Sequence, residues 1–248
     1  MSITIGSLFS GIGGLELGLE WAGLGPVLWQ VERDEFCRNV LARHWPDVER
    51  FDDVCEVGAS TLAPVDIICG GFPCQDISYA GKGAGLAGAQ SSLWFEFARI
   101  IREMGPRFVV VENVAALLNR GLGDVLGTLS DLGYDAEWSL LSACAVGAPH
   151  VRKRLFIVAH SATNRRGLLL DISNRICEKW SSGARDNSLG SCSWPALPAP
   201  EFWGGVNGIS QRLARPWAAL GNAVVPQCAE VVGWVVRELA EAEQPHAR

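Results

Sequence analysis

Ile3-Thr4-Ile5-Gly6-Ser7-Leu8-Phe9-Ser10-Gly11-Ile12-Gly13-Gly14 is the stretch on which the fold turns. Ile3–Phe9 reads as a short buried strand. Glycines follow at 11, 13 and 14, and Gly14–Trp21 has the spacing of a helix. A strand that runs through glycines into a helix is the opening unit of a nucleotide-binding α/β fold. The glycines let the backbone turn tightly and approach a ligand, while the helix N-terminus offers free N–H groups. Such turns also arise for steric reasons alone. Glu32 favours the ligand: it ends the next strand-like run, Val27–Val31. An acid about 20 residues after the glycine turn can accept hydrogen bonds from ribose hydroxyls. Together they point to a cofactor that contains adenosine, with a solvated surface Glu as the other reading.

Further along, strand-like runs at Val65–Cys69, Phe108–Val111 and Leu155–Ala159 alternate with helical patterns at Glu35–His44, Leu93–Met104 and Leu122–Leu132. This alternation predicts an α/β fold, a Rossmann-like and mostly parallel sheet with helices on both faces. After residue 160 the periodicity stops. Residues 161–215 are rich in Ser, Asn, Arg, Gly, Pro and Trp, which reads as a small irregular region. A helix is expected again over Gln227–Glu243, after Pro226. The expected division is therefore 1–160, 161–215 and 216–248, the last packing back on the first.

The 248 residues are 48% hydrophobic, enough for a substantial core, and no run of 18 apolar residues suggests a membrane span. The N-terminal sequence has neither a charged region nor a cleavage signal, so the chain is expected to be unprocessed and cytoplasmic. Eight Cys are present, none in a Cys-x-x-Cys pair, and neither a metal site nor a disulfide framework is expected. Net charge is −6, yet residues 150–217 hold ten Lys/Arg against four Asp/Glu, while the rest holds eleven against twenty-three. Such asymmetry points to a polyanion-binding face, or to a solvated basic surface.

Gly70-Gly71-Phe72-Pro73-Cys74-Gln75-Asp76-Ile77-Ser78 follows the strand at 65–69. Cys74 thus falls at the sheet edge where open α/β sheets bind ligands. A thiol held there beside a rigid Pro can act as a nucleophile. A free Cys is otherwise a small core residue, and this run alone does not separate the two. Glu112, directly after Val109-Val110-Val111, stands at the same edge. Partial burial would raise its pKa and suit it to general acid work, although an acid starting a helix would look the same. Arg152 and Arg154 share a face in an extended strand. Their donors suit carbonyl or phosphate oxygens, or simply solvent. Gly81-Lys82-Gly83-Ala84-Gly85-Leu86-Ala87-Gly88 is too glycine-rich for a stiff element, and reads as a lid or as an inert loop.

In this order, the motifs resemble those of the DNA (cytosine-5) methyltransferase family. The resemblance is carried by Phe9–Gly14, Glu32, Asp53-Val54, Pro73-Cys74-Gln75, Glu112-Asn113-Val114, Arg152-x-Arg154 and Gly221-Asn222-Ala223-Val224-Val225-Pro226. The compact layout is similar to phage and prophage members. The resemblance implies the S-adenosylmethionine-dependent methyltransferase fold. It also implies methyl transfer to carbon 5 of a flipped-out cytosine in a short duplex DNA sequence, with S-adenosylhomocysteine as product. Cys74 would attack carbon 6, Glu112 would hold or protonate nitrogen 3, and Arg154 would grip the 2-oxo group with Arg152 beside it.

For the cofactor, the resemblance places Phe9, Gly11 and Gly13 at the methionine end, with Ser10, Gly14 and Leu15 in the same loop. Glu32 would serve the ribose, and Arg33 is a further cofactor-binding position. Asp53 would hydrogen-bond the adenine amino group, and Val54, Pro73, Leu93, Asn222 and Val224 would complete the pocket. Gln75, Ser78 and Lys82, within a lid over 76–92, would lie near DNA, as would Arg165 and Arg166 in a target-recognition region at 161–215. No metal is implied. The expected state is a monomer on double-stranded DNA, in an orphan or restriction-modification role, with a cognate endonuclease left open as a partner. Three features depart from the family. His150 stands where Gln is usual and Asp52 where Gly is usual, and the stretch Val206–Arg215 replaces an Arg-rich motif. The target region is short for the family, which implies a short or relaxed target. A tRNA cytosine-5 methyltransferase and a catalytically silent DNA-binding relative are the alternatives. Intact Cys74, Glu112 and Arg154 count against the silent relative. A nicotinamide-dependent dehydrogenase would leave Pro73-Cys74-Gln75 without a task.

Overall fold

The computed structural model describes residues 2–73, 93–161 and 219–243. Strand and helix alternate through β1 (Ile5–Leu8), α1 (Gly14–Trp21), β2 (Val27–Val31), α2 (Glu35–His44) and β3 (Glu49–Phe51), before a 3-10 turn at Val54–Glu56 and β4 (Ile67–Gly70). Then come α3 (Leu93–Met104), β5 (Phe108–Val114), α4 (Leu122–Asp131), β6 (Tyr134–Ser142), β7 (Lys153–Ser161) and α5 (Pro226–Ala242). Local chemistry explains several of these bounds. Asp34 caps α2 by accepting from the Cys37 N–H at 3.0 Å, and Arg43 and His44 sit in its last turn, where cations complement the helix dipole. Pro226 occupies the first turn of α5, where its missing N–H costs nothing.

The seven strands form one sheet in the order β3-β2-β1-β4-β5-β7-β6. β1 through β5 are parallel, as expected, but β7 runs antiparallel to both β5 and β6. The run Leu155–Ala159 is therefore not another parallel unit. Residues 143–152 are too few for a crossover, so the chain turns back from β6 and slots between it and β5. β5 also continues past its apolar core. Glu112 lies inside the strand, opposite Phe156, and not after it.

One face of the sheet packs Trp29, Val109, Val111 and Ile157 against Phe97, Ile100 and Ile101 of α3 and Leu129 of α4. The other packs Ile5, Val110 and Phe156 against Leu15 and Leu19 of α1 and Val232 and Val236 of α5. α1 and α5 approach closely because Gly18 and Gly233 have no side chain: a Cβ on Gly18 would strike Pro226 O and Ala229, and one on Gly233 would strike Ala22. The segment Ala219–Ala242 is long and apolar enough, by length and composition alone, to cross a membrane. Its stripe of Cys228, Ala229, Val232, Val236 and Leu239 is buried in the α1 face of the sheet, the pattern of a core helix. The expected target-recognition region lies, past Ser161, outside the described residues.

Candidate active site

The C-terminal edge of the parallel strands opens on a cavity of about 820 Å³. At one end the glycine turn supplies its wall. Phe9 (φ 54°) and Gly11 (φ 56°) both have left-handed backbone; for Phe9 this is strain of about 1–3 kcal/mol, which persists where the surroundings impose it. A Cβ on Gly11 would meet nothing within 4 Å, so the backbone there faces open space. Gly13 (φ 87°) is needed for a second reason, since a Cβ would strike the Trp45 ring. Glu32 ties this turn to β2. One carboxylate oxygen accepts from Gly11 N at 2.7 Å and the other from Asp34 N at 2.8 Å, and the side chain still borders the cavity. Asp53 caps the next turn by accepting from Cys55 N at 2.8 Å. That hydrogen bond holds its carboxyl below the usual range. Cys37 also borders the cavity, but burial, then Glu32 and Asp34, push its thiol up to about 12. It stays protonated and is no nucleophile.

At the other end the cavity reaches Gly71, Phe72, Pro73, Glu112, Asn113 and Arg154. Glu112 is 7% exposed and forms an ion pair with Arg154, Nε to Oε1, at 3.0 Å. The contact is short but poorly aligned, because that oxygen has no hydrogen bond of good geometry. Burial pushes Glu112 up to about 7, against the pull of Arg154 and then Arg152. A carboxyl here keeps a substantial protonated fraction at neutrality and can give its proton to a ring nitrogen. Gly71 makes room for it: a Cβ there would lie 2.9 Å from Glu112 Oε2. The tripeptide that leads to Cys74 is anchored twice. Asn113 Nδ2 donates to Phe72 O at 3.0 Å, and the Phe72 ring packs on Trp94 at 5.1 Å. Arg154 also borders a second cavity of about 520 Å³, lined by His150, Arg152, Lys153, Leu220 and Val224. Arg152 Nη2 donates to Ala223 O at 2.7 Å, which clamps the 223–225 segment to the start of β7.

Of the expected cofactor residues, Phe9, Gly11, Glu32, Arg33, Asp53, Val54, Pro73, Leu93 and Asn222 line the first cavity. Others stand behind it. Ser10 is buried and bonds to Ser7, and Leu15 is core. Gly14 admits the Val224 carbonyl against α1, and Val224 itself lines the second cavity. Cys74, Gln75, Ser78, Lys82, Arg165 and Arg166 lie outside the described residues. The sequence motifs include Asn113 and Gly71 but do not show the anchoring of Phe72 by the first or the space that the second leaves for Glu112. Polarity inside an apolar run was a usable signal for the first. The second depends on a side chain 41 residues away and left no local trace.

The sequence profile of the family described as C-5 cytosine-specific DNA methylase matches residues 3–185. The chain belongs to that family. It is 41% identical over 164 residues to the type II methyltransferase M.Eco47II of Escherichia coli, an alignment covering 63% of this chain and 39% of the relative. To M.HhaI of Haemophilus parahaemolyticus it is 32% identical over 155 residues, covering 61% and 47%. The chain thus spans less than half the length of these relatives. A protein described as a DNA modification methyltransferase encoded within an E. coli prophage superposes with TM-score 0.53 at 29% identity, over 64% of this chain and 47% of that one. The Entamoeba histolytica methyltransferase EhMeth superposes with TM-score 0.64 over 96% of this chain and 99% of that one. At 13% identity it shows the fold alone.

Proposed function

We propose that this protein methylates carbon 5 of cytosine in duplex DNA, with S-adenosylmethionine as methyl donor and through a covalent bond from Cys74. The observation that carries the reading is Glu112, a buried carboxyl with a pKa near neutrality, paired with Arg154. It sits across Gly71 from the anchored segment that Cys74 follows directly. The cavity suits the cofactor. Glu32 and Asp53 supply acceptors, Gly11 leaves the backbone open, and Phe9, Val54 and Leu93 supply apolar walls. When bound, S-adenosylmethionine supplies an electrophilic methyl group on a sulfonium.

The chain's own residues do the rest. The Cys74 thiolate adds its electron pair to carbon 6, breaking the 5,6 double bond and placing density on carbon 5. Glu112 gives its proton to nitrogen 3 as negative charge builds there, and Arg154 holds the 2-oxo group. Carbon 5 takes the methyl group as the donor's methyl–sulfur bond breaks, and that electron pair would stay on sulfur in the departing S-adenosylhomocysteine. A base then removes the carbon-5 proton, the 5,6 double bond re-forms, the Cys74 sulfur leaves with its electron pair, and nitrogen 3 returns its proton to Glu112. These atoms are closed off in a stacked duplex, so the base must be extruded. Residues 161–215 would choose the sequence, in an orphan or restriction-modification setting.

A duplex carrying 5-fluorocytosine tests the covalent step. Fluorine cannot leave as a cation, so the reaction should stall as a protein–DNA adduct with wild type and form none with Cys74→Ser. An adduct that forms on tRNA and not on DNA would move the substrate to RNA.

A further inference from the structure

Beneath the glycine turn lies a second polar group that the chemistry above does not use. Glu16, in the first turn of α1, is 0% exposed, and neither carboxyl oxygen has an aligned hydrogen-bond partner. Gln30 on β2 is equally buried, and its amide oxygen and nitrogen also lack partners. Ser7 pairs with Gln30 across β1 and β2, and with Cys69 across β1 and β4. Ser10 Oγ donates to Ser7 Oγ at 2.9 Å, and both hydroxyls act on the Glu16 carboxyl. Ser10 is also the first residue of the cofactor turn. Its N–H donates to Val31 O at 3.2 Å and its carbonyl accepts from Gly13 N at 3.0 Å. One side chain therefore connects the buried cluster to the loop that borders the cavity.

We propose that Glu16 is a positioning residue for the cofactor loop. While its carboxyl is neutral, the Ser10–Ser7 hydrogen bond holds the Ser10–Gly13 turn in its observed shape. Ionisation recruits both hydroxyls to the carboxylate and releases the turn. A carboxylate without aligned donors in this interior is far less stable than its acid. Burial pushes Glu16 up to about 7; Ser7, its own backbone N–H and Ser10 pull back, and Glu20 pushes further. The other titratable groups on the elements packed here are Cys69 on β4 and Cys228, Glu230, Arg237, Glu238 and Glu241 on α5, with no acid or base on β1 or β2. Burial raises the thiol of Cys69 well above its usual value, and Glu16 adds to that. The effect on binding rests on the cavity being the S-adenosylmethionine site, whereas the effect on the loop does not.

The full chain is tested in two readouts, for wild type and Glu16→Gln, from pH 6 to 8.5. Amide-exchange protection of residues 11–14 is followed without cofactor, and the Kd for S-adenosylhomocysteine is followed by calorimetry. In wild type, protection should fall and Kd rise roughly tenfold across that range, as a proton-linked equilibrium requires. Glu16→Gln, neutral throughout, should hold its pH 6 values. A purely structural role would weaken the variant at pH 6 and leave the pH dependence in place. An equal pH response in both proteins, or none in wild type, overturns the proposal. Absent cofactor binding with the exchange pattern intact would sink the cofactor reading and support this one. Should Glu16→Gln not fold, Ser10→Ala decides: it should abolish the pH response of the loop, and persistence of the response overturns the proposal.

Discussion

At the scale of single residues, the site depends on a carboxyl kept neutral by burial while two guanidinium groups stand near it. Because the protonated form of Glu112 is the working one, kcat/KM should fall as pH rises through about 7. Glu112→Gln keeps the shape and loses the proton. Its activity should drop roughly 10²–10⁴-fold, the usual contribution of general acid catalysis, and the descending limb should vanish. A rate-against-pH profile of both proteins checks this. The same shift acts on folding. Glu112 and Glu16 both move from 4.5 to about 7, so the folded state binds protons more tightly than the unfolded chain. Their stabilisation is complete below about pH 4.5 and is lost as pH climbs through 7. Thermal midpoints should therefore decline between pH 5 and 8, and decline less in Glu112→Gln.

At the scale of elements, close backbone approaches set the geometry. Gly14 admits the Val224 carbonyl against α1, and Gly71 leaves space for Glu112 Oε2, which would lie 2.9 Å from a Cβ there. Gly14→Ala must push α1 from the 223–225 segment and should cost about 1–3 kcal/mol, the range for overpacking, readable as a lower denaturation midpoint. Gly71→Ala displaces the carboxyl and should lower kcat with little change in stability. Much of this level was legible in the sequence. The bounds expected for α1, α2, α3 and β2 coincide with those observed, because each has strong periodicity between clear breaks. β3 was missed because three residues make no pattern. β6 was missed because its edge position leaves Trp138 at 47% and Leu140 at 40% exposed amid polar neighbours. The direction of β7 is not written in its apolar run, since burial on both faces looks alike whichever way a strand points. In the site, the glycine turn, Glu32, Glu112 and Arg154 were readable because their chemistry is local. Gly71 and Glu16 were not, because a distant carboxyl and the packing of α1 on the sheet create their roles.

At the scale of the molecule, an acidic chain of net charge −6 carries ten of its 21 Lys/Arg in residues 150–217, the stretch of sequence that includes Arg152 and Arg154. Binding through that strip displaces counterions, so DNA affinity should fall steeply and log-linearly with salt. Anisotropy titrations between 50 and 200 mM salt, a range that costs such proteins roughly 10³–10⁵ in affinity, would show it, and a flat response would remove the strip from the interface. The alignments cover 39% and 47% of the length of the two curated relatives cited. Methylation itself is the central claim. The most direct measurement incubates the purified full chain and labelled S-adenosylmethionine with bacterial genomic DNA and with tRNA, and then analyses the digested bases by mass spectrometry. Labelled 5-methylcytosine should come from DNA with wild type, and none with Cys74→Ser. Unlabelled DNA, from a protein that demonstrably binds both DNA and cofactor, would contradict it.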